Sequence, residues 1–302
     1  DRSPATRPTS ELVVGDVITA IDSTRIAEAG GMPEIDMVAA MAGTAGRETL
    51  IERIPADESA STHVLIVPAS AGSVRGLAYL EEVERRRAQV EELSDGKLGY
   101  LHIQSMGMAS VLDYERDLYA AANGKLGLII DVRDNGGGWT TDIRHASLTA
   151  PAHAYTIPRG ANESDVDRLT YPRDRRLIYA YQRPLSVLIN ENSFSNAEIF
   201  AHSIQTTGRG TLVGTQPFGG LMPTGSFTLL AGTRVRMPFR GWFLPDGTDM
   251  ENNGAAPDID VPISPADEAA GRDPQLEAAV KELLGRSVAF ERELDRAPSA
   301  RR

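Results

Sequence analysis

From Leu98 onward, short apolar runs alternate with stretches of helical periodicity, and that alternation admits few folds. The strand candidates are Leu98 to Ile103, Leu126 to Val132, Leu185 to Asn190 and Thr211 to Val213. Helices are predicted near Val111 to Ala122, Thr141 to Leu148 and Ala197 to Thr206. Each helix must bury one apolar stripe against the strands, so the pattern predicts an α/β layer architecture and not a sandwich.

The first 74 residues have a different texture. Leu12 to Ile21 carries short β-rich runs split by Gly15-Asp16, Val64 to Val67 is another strand candidate, and Ile35 to Ala42 reads as a short helix stopped by Gly43. Val14-Gly15-Asp16-Val17-Ile18 followed by Ala20-Ile21-Asp22 resembles the strand pair of a PDZ domain, a module that binds extended chain ends by adding a strand. The module reads as incomplete, since the first fifteen residues look like the inside of a loop, and a missing N-terminal part is expected. Leu77, Leu80, Val83, Val90 and Leu93, interleaved with charged residues, then predict an amphipathic linker helix. The expected layout is a PDZ-like domain over 1–74, a linker helix over 75–97, an α/β catalytic domain over 98–265, and a C-terminal helix with a flexible tail over 266–302. Asp273-Pro274 and Gly285 bracket that last helix at about three turns.

Composition narrows the chemistry. The chain has no cysteine among its 302 residues, which excludes disulfides, thiolate metal sites and a cysteine nucleophile. A net charge of −11 argues against nucleic acid or an anionic membrane as partner. Only Lys97, Lys125 and Lys281 are lysines. No run reaches the roughly 18 apolar residues of a membrane span, and a cytoplasmic location is expected.

Two strand-to-helix junctions stand out. In Asp134-Asn135-Gly136-Gly137-Gly138-Trp139, three glycines follow a buried strand and precede a helix, so backbone N–H groups can approach an anion where the helix dipole is positive. No Gly-Lys-Ser/Thr follows, so an oxyanion hole fits better than a phosphate loop, although a tight turn explains the glycines equally well. In Asn190-Glu191-Asn192-Ser193-Phe194-Ser195-Asn196, Ser195 sits where a strand becomes a helix. It is a candidate acyl-transfer nucleophile, or simply a helix cap paired with Glu198. His63, His102, His145, His153 and His202 form no metal-binding spacing, and each reads first as a packed structural residue. No metal and no cofactor is expected.

Four segments agree on one family. Gly99-Tyr100-Leu101-His102-Ile103 with Met106-Gly107-Met108, Ile130-Asp131-Val132-Arg133 with Asn135-Gly136-Gly137-Gly138, Asn190-Glu191 with Ser195-Asn196-Ala197-Glu198, and Glu251-Asn252-Asn253-Gly254 with Pro257-Asp258-Ile259 resemble the tricorn-type branch of the carboxyl-terminal processing serine peptidases. The resemblance implies a crotonase-like (Clp-protease-like) α/β spiral preceded by the PDZ-like domain. It implies Ser195 as nucleophile, the N–H groups of Gly138 and Asn196 as oxyanion hole, and Glu251 as the carboxylate that supports a catalytic histidine through a serine. The Asn196 side chain needs no role in that scheme. Gly137, Thr156, Gly219 and Gly220 are expected to line the substrate site.

The sequence departs from the family in three places. Most of the wider family carries a lysine base 25 residues after the nucleophile, where Gly220 stands here, so the lysine route is closed. The histidine of the tricorn-type branch lies before the PDZ domain, and no residue of this chain matches it. Thr156 stands where an acidic residue would select basic side chains. The resemblance further implies peptide substrates, a homohexameric ring and upstream β-propellers. Two other classes share these features: a catalytically inactive peptide-binding scaffold, and, ranked last, an acyl-CoA crotonase.

Overall fold

A computed structural model describes residues 3–7, 10, 12–26, 37–57, 60–151, 159–160 and 181–296. Two compact units divide the chain, Asp1–Glu84 and Arg85–Arg302.

The first unit is built on an antiparallel sheet of β1 (Val17–Ile21), β2 (Thr24–Arg25), β3 (Thr49–Ile54) and β4 (Thr62–Ile66) in the order β2-β1-β3-β4. Ile21, Ile26 and Ile51 are its buried centre, with Ile18, Val64 and Ile66 packed around them. The short helix α1 (Met37–Ala40) contributes Ala40. The first strand begins only at Val17 because Asp16 is a turn residue: its carboxylate accepts from Val13 N–H (3.0 Å), Ala56 N–H (3.1 Å) and Arg53. Those contacts hold its pKa below the ordinary carboxylate value, the Val13 bond being the largest cause. The strand Thr49–Ile54 was not apparent in the sequence, because Glu52 and Arg53 interrupt its apolar run.

Helix α2 (Ala71–Leu93) leads to the second unit. There β5 (Leu98–His102), β6 (Gly127–Asp131), β7 (Leu185–Ile189) and β8 (Thr211–Gly214) pair in parallel, and a late strand, numbered β11 below, completes the order β11-β8-β7-β6-β5. Side chains alternate along each strand, so the sheet has two buried faces. Leu128, Ile130, Val187, Ile189 and Leu212 pack with Leu118 of α3 (Met108–Ala122), Leu148 of α4 (Thr141–Thr149), and Phe200 and Ile204 of α5 (Asn196–Thr206). These elements agree with the sequence reading to within a few residues. A hairpin follows, β9 (Thr224–Thr228) and β10 (Arg234–Pro238), and then β11 (Ile259–Asp260) and the short α6 (Pro265–Ala269).

The last helix, α7 (Pro274–Arg296), packs on β6, β7 and β8 and corrects the sequence reading. It does not stop at Gly285. Arg286 beyond that glycine donates to Leu185 O (2.6 Å) and Ser186 Oγ (3.1 Å), and Ser287 is fully buried. A Cβ on Gly127 would lie 2.5 Å from Ser287 Oγ, so strand and helix meet at van der Waals limit. Tertiary packing thus carries the helix through a residue that elsewhere ends one.

At the C-terminal end of β6, Arg133 is buried and bridges Asp131 (2.7 Å) and Asp273 (2.9 Å), while Tyr100 donates to Asp131 (2.8 Å). Burial alone would raise the Asp131 pKa, yet the Arg133 charge and hydrogen bonds hold it well below the ordinary value. This cluster ties the start of α7 to the strand that feeds the glycine loop.

Candidate active site

The glycine loop leaves β6 through Asn135, whose buried side chain donates to Ile103 O (2.6 Å) and accepts from Gly137 N–H (2.9 Å). Gly137 and Gly138 have φ of +90° and +150°, and both are needed for close approach. A Cβ on Gly138 would sit 2.3 Å from Met106 O; one on Gly137 would sit 2.7 Å from Ser195 Cβ. The glycines press the loop against the serine turn, which is what the sequence left open between a cradle and a tight turn.

The serine turn leaves β7 at Asn190. Ser193 Oγ donates to Val132 O (2.9 Å), and Phe194 N–H donates to Asn135 O (2.9 Å), so the two junctions are stitched together. Ser195 is half-buried with φ +55° and ψ −118°, a conformation that costs a non-glycine residue of order 1–3 kcal/mol. Strain of this kind lifts a nucleophilic hydroxyl off a strand-to-helix turn. The N–H groups of Asn196, the next residue, and of Gly138, which follows the glycine that touches Ser195, meet no acceptor among the described residues.

Glu198 has a larger part than a cap partner. Its buried carboxylate does accept from Ser195 N–H (3.1 Å), but also from Gly219 N–H (2.6 Å) and Gly220 N–H (2.9 Å). Burial raises its pKa, the three N–H donors oppose that rise, and the Glu251 charge adds to it. Glu251 Oε2 accepts from Leu221 and Met222 N–H, both at 2.8 Å. Its Oε1 has no hydrogen-bond partner among the described residues. The Glu251-Asn252-Asn253-Gly254 turn lies against Gly219, where a Cβ would sit 2.7 Å from Asn253 N, and Asn252 N–H donates to Gly219 O (2.7 Å).

Gly220, the position of the family's lysine, faces aromatic rings. A Cβ there would lie 2.4 Å from Phe194 Cε2 and 3.1 Å from Phe218 Cδ1. The space for a side chain at 220 is filled.

The Asn196 side chain is buried and bonded, against the expectation that it needs no role: Oδ1 accepts from Thr141 N–H (3.0 Å) and Thr141 Oγ1 (3.0 Å). Neither Phe194, Thr141 nor the loop-holding use of Glu198 had a signal in the sequence beyond the capping-box spacing Ser195/Glu198. Thr156 and His153 lie outside the described residues. His102, His145 and His202 bond Arg133 O (3.0 Å), Thr207 Oγ1 (3.2 Å) and Asn253 O (2.9 Å), and burial lowers the pKa of the latter two. None of them bonds Ser195. Among the described residues, no group of three or more His, Asp or Glu side chains could hold a metal ion.

A parallel sheet with a strained serine turn and a glycine loop at adjacent strand ends is the layout of a serine-type peptidase. The chain belongs to Peptidase family S41, whose profile matches residues 97–261, more than half of its 302 residues. Tricorn protease homolog 1 of Streptomyces coelicolor is 32% identical over 281 residues, 92% of this chain and 25% of that protein. The tricorn protease of Thermoplasma acidophilum is 33% identical over 227 residues, 74% of this chain and 20% of that one. The crystal structure of the tricorn protease superposes with a TM-score of 0.70 at 28% identity, covering 90% of this chain and 25% of that one. The chain therefore spans about a quarter of the length of these relatives or less.

Proposed function

We propose that this chain carries the nucleophile of a serine peptidase that cleaves peptides or unfolded protein segments in cytoplasmic protein turnover. The observation that carries the reading is Ser195 at φ +55°, pressed against Gly137 of the glycine loop, with no acceptor among the described residues for the N–H groups of Gly138 and Asn196. Ser195 Oγ attacks the scissile carbonyl carbon, and the oxyanion is held by those two N–H groups. The C–N bond then breaks, the serine proton passes through a histidine to the leaving amine, and water hydrolyses the acyl-enzyme. Phe194 fills the space beside Gly220, which speaks against a lysine base there; the base is read as a histidine of a segment upstream of this sequence, with Glu251 supporting it through a serine. Gly137, Gly219, Gly220 and Thr156 border the substrate.

The antiparallel sheet of the first unit is read as the PDZ-like module that docks chain ends, and assembly into a homohexamer is carried over from the tricorn-type resemblance. No helix among the described residues is long and apolar enough to cross a membrane.

Reaction of the full-length protein with a fluorophosphonate, followed by peptide mapping, tests the reading. Labelling on Ser195, absent in Ser195→Ala, supports it. A protein that hydrolyses peptides equally well as Ser195→Ala refutes it, and a folded protein that neither labels nor hydrolyses is the inactive peptide-binding scaffold instead.

A further inference from the structure

The start of α4 lacks a cap of its own. Thr140, at the N-cap position, caps none of the helix N–H groups with its side chain. Its hydroxyl instead donates to Met106 O (2.7 Å), and Arg144 donates to that same hydroxyl and, through Nη2, to Ser105 O (3.0 Å). A helix start leaves unsatisfied N–H groups that need an acceptor when buried. The acceptor comes from another helix: Asn196, first residue of α5, offers Oδ1 to the N–H of Thr141, first residue of α4. Because an N–H can only donate, this bond fixes which end of the amide faces Thr141. Thr141 Oγ1 returns a bond to Asn196 O (2.8 Å) and shares its proton with Oδ1 (3.0 Å). Both residues are at most 7% exposed.

The clamp closes a short circuit. Gly138 is pinned to one side by Met106, which bonds Gly137 O (2.9 Å) through its N–H and accepts from Trp139 N–H (2.9 Å). Three residues further on, Thr141 is pinned to Asn196. The two N–H groups are therefore held at one spacing by a ring that runs from Thr141 to Asn196, back to Phe194, whose N–H donates to Asn135 O (2.9 Å), and along the glycine loop through Gly138.

We propose that the side chain of Asn196 is a positioning residue, which sets the distance between the Gly138 and Asn196 N–H groups by clamping α4 to α5 through Thr141. The proposal rests on the serine-peptidase reading above and adds a role for a side chain that backbone catalysis does not need. Donor spacing matters most in the transition state, so the clamp acts on turnover more than on substrate binding.

The test measures kcat and KM of the full-length protein on a peptide substrate, with thermal midpoints recorded in parallel. Asn196→Ala and Thr141→Val are each expected to lower kcat roughly tenfold to a hundredfold, the scale of a displaced rather than deleted donor, with KM within about twofold of wild type. The double variant is expected to lose more than either single one, since Asn196→Ala leaves Thr141 Oγ1 on Asn196 O and Thr141→Val leaves Thr141 N–H on Oδ1. Asn196→Asp, which keeps the acceptor, recovers most of the turnover lost in Asn196→Ala. Should Asn196→Ala fail to fold, Thr141→Val, which keeps the side-chain volume, carries the test with Asn196→Asp. The proposal is overturned by kcat within about twofold of wild type in Thr141→Val or in the double variant, or by equal losses for Asp and Ala at 196. Ser195→Ala separates the two levels: full activity there refutes the peptidase reading itself, whereas an inactive Ser195→Ala beside an unaffected Asn196→Ala refutes the clamp alone.

Discussion

Glu198 and Glu251 divide four consecutive backbone N–H groups between them: Gly219 and Gly220 donate to the first, Leu221 and Met222 to the second. Two carboxylates thus fix the loop that runs beside the serine, and one of them also holds the serine's own N–H. The first half of that loop and Ser195 are positioned by a single side chain.

Glu198→Gln keeps the size of that side chain but turns one acceptor into a donor. One N–H of the three then faces an NH2 group in a buried site, at a cost of about 1–3 kcal/mol. The expected outcome is a lower unfolding midpoint in denaturant together with reduced peptide hydrolysis. Unchanged values for both would show that the loop does not depend on Glu198.

Gly220→Lys tests the closed lysine route. With Phe194 Cε2 at 2.4 Å from the added Cβ, the substitution overpacks the loop and should cost about 1–3 kcal/mol without creating a lysine base. Calorimetry reads the stability loss. The paired change Phe194→Ala with Gly220→Lys is expected to recover part of it, and a stable, active single variant would contradict the packing.

The Asp131 cluster makes a prediction about acid. Its folded pKa lies below the ordinary value of 3.8, so in acid the unfolded chain binds more protons than the folded one. Its contribution is present above pH 3.8 and is lost as pH falls from there toward the folded pKa. Urea unfolding across acidic pH should show a stability loss in this window that Asp131→Asn flattens, while Asp131→Asn is less stable than wild type at neutral pH.

Gly285→Ala is expected to stabilise. The glycine lies inside α7, a Cβ there meets nothing within 4 Å, and its φ is not positive. Replacing it removes an entropic penalty of roughly 0.5–1 kcal/mol. A thermal midpoint that falls instead would argue that the helix does end at Gly285.

Strands β5 to β8 and helices α3 to α5 were legible because a buried parallel sheet writes itself as unbroken apolar runs. Ser195 and the glycines were legible as a motif. Glu198 was visible only as a capping partner, because nothing in Ser195-Asn196-Ala197-Glu198 says that Gly219 and Gly220 will come back to meet it. The extension of α7 was hidden for the same reason: Gly285 is local, while the grip of Arg286 on Leu185 is set by residues 101 positions apart. Asn196 was read only for its backbone N–H, because the bond from its side chain to Thr141, 55 positions away, leaves no local mark.

Arg133, at the end of the strand that feeds the glycine loop, finds its second carboxylate 140 residues later in Asp273. A ribosome that has made Arg133 and Asp131 must therefore go on to Asp273 before that guanidinium has all its partners. Contacts this distant in sequence form late. Ser195 is therefore made before the cluster that anchors the glycine loop's strand is complete.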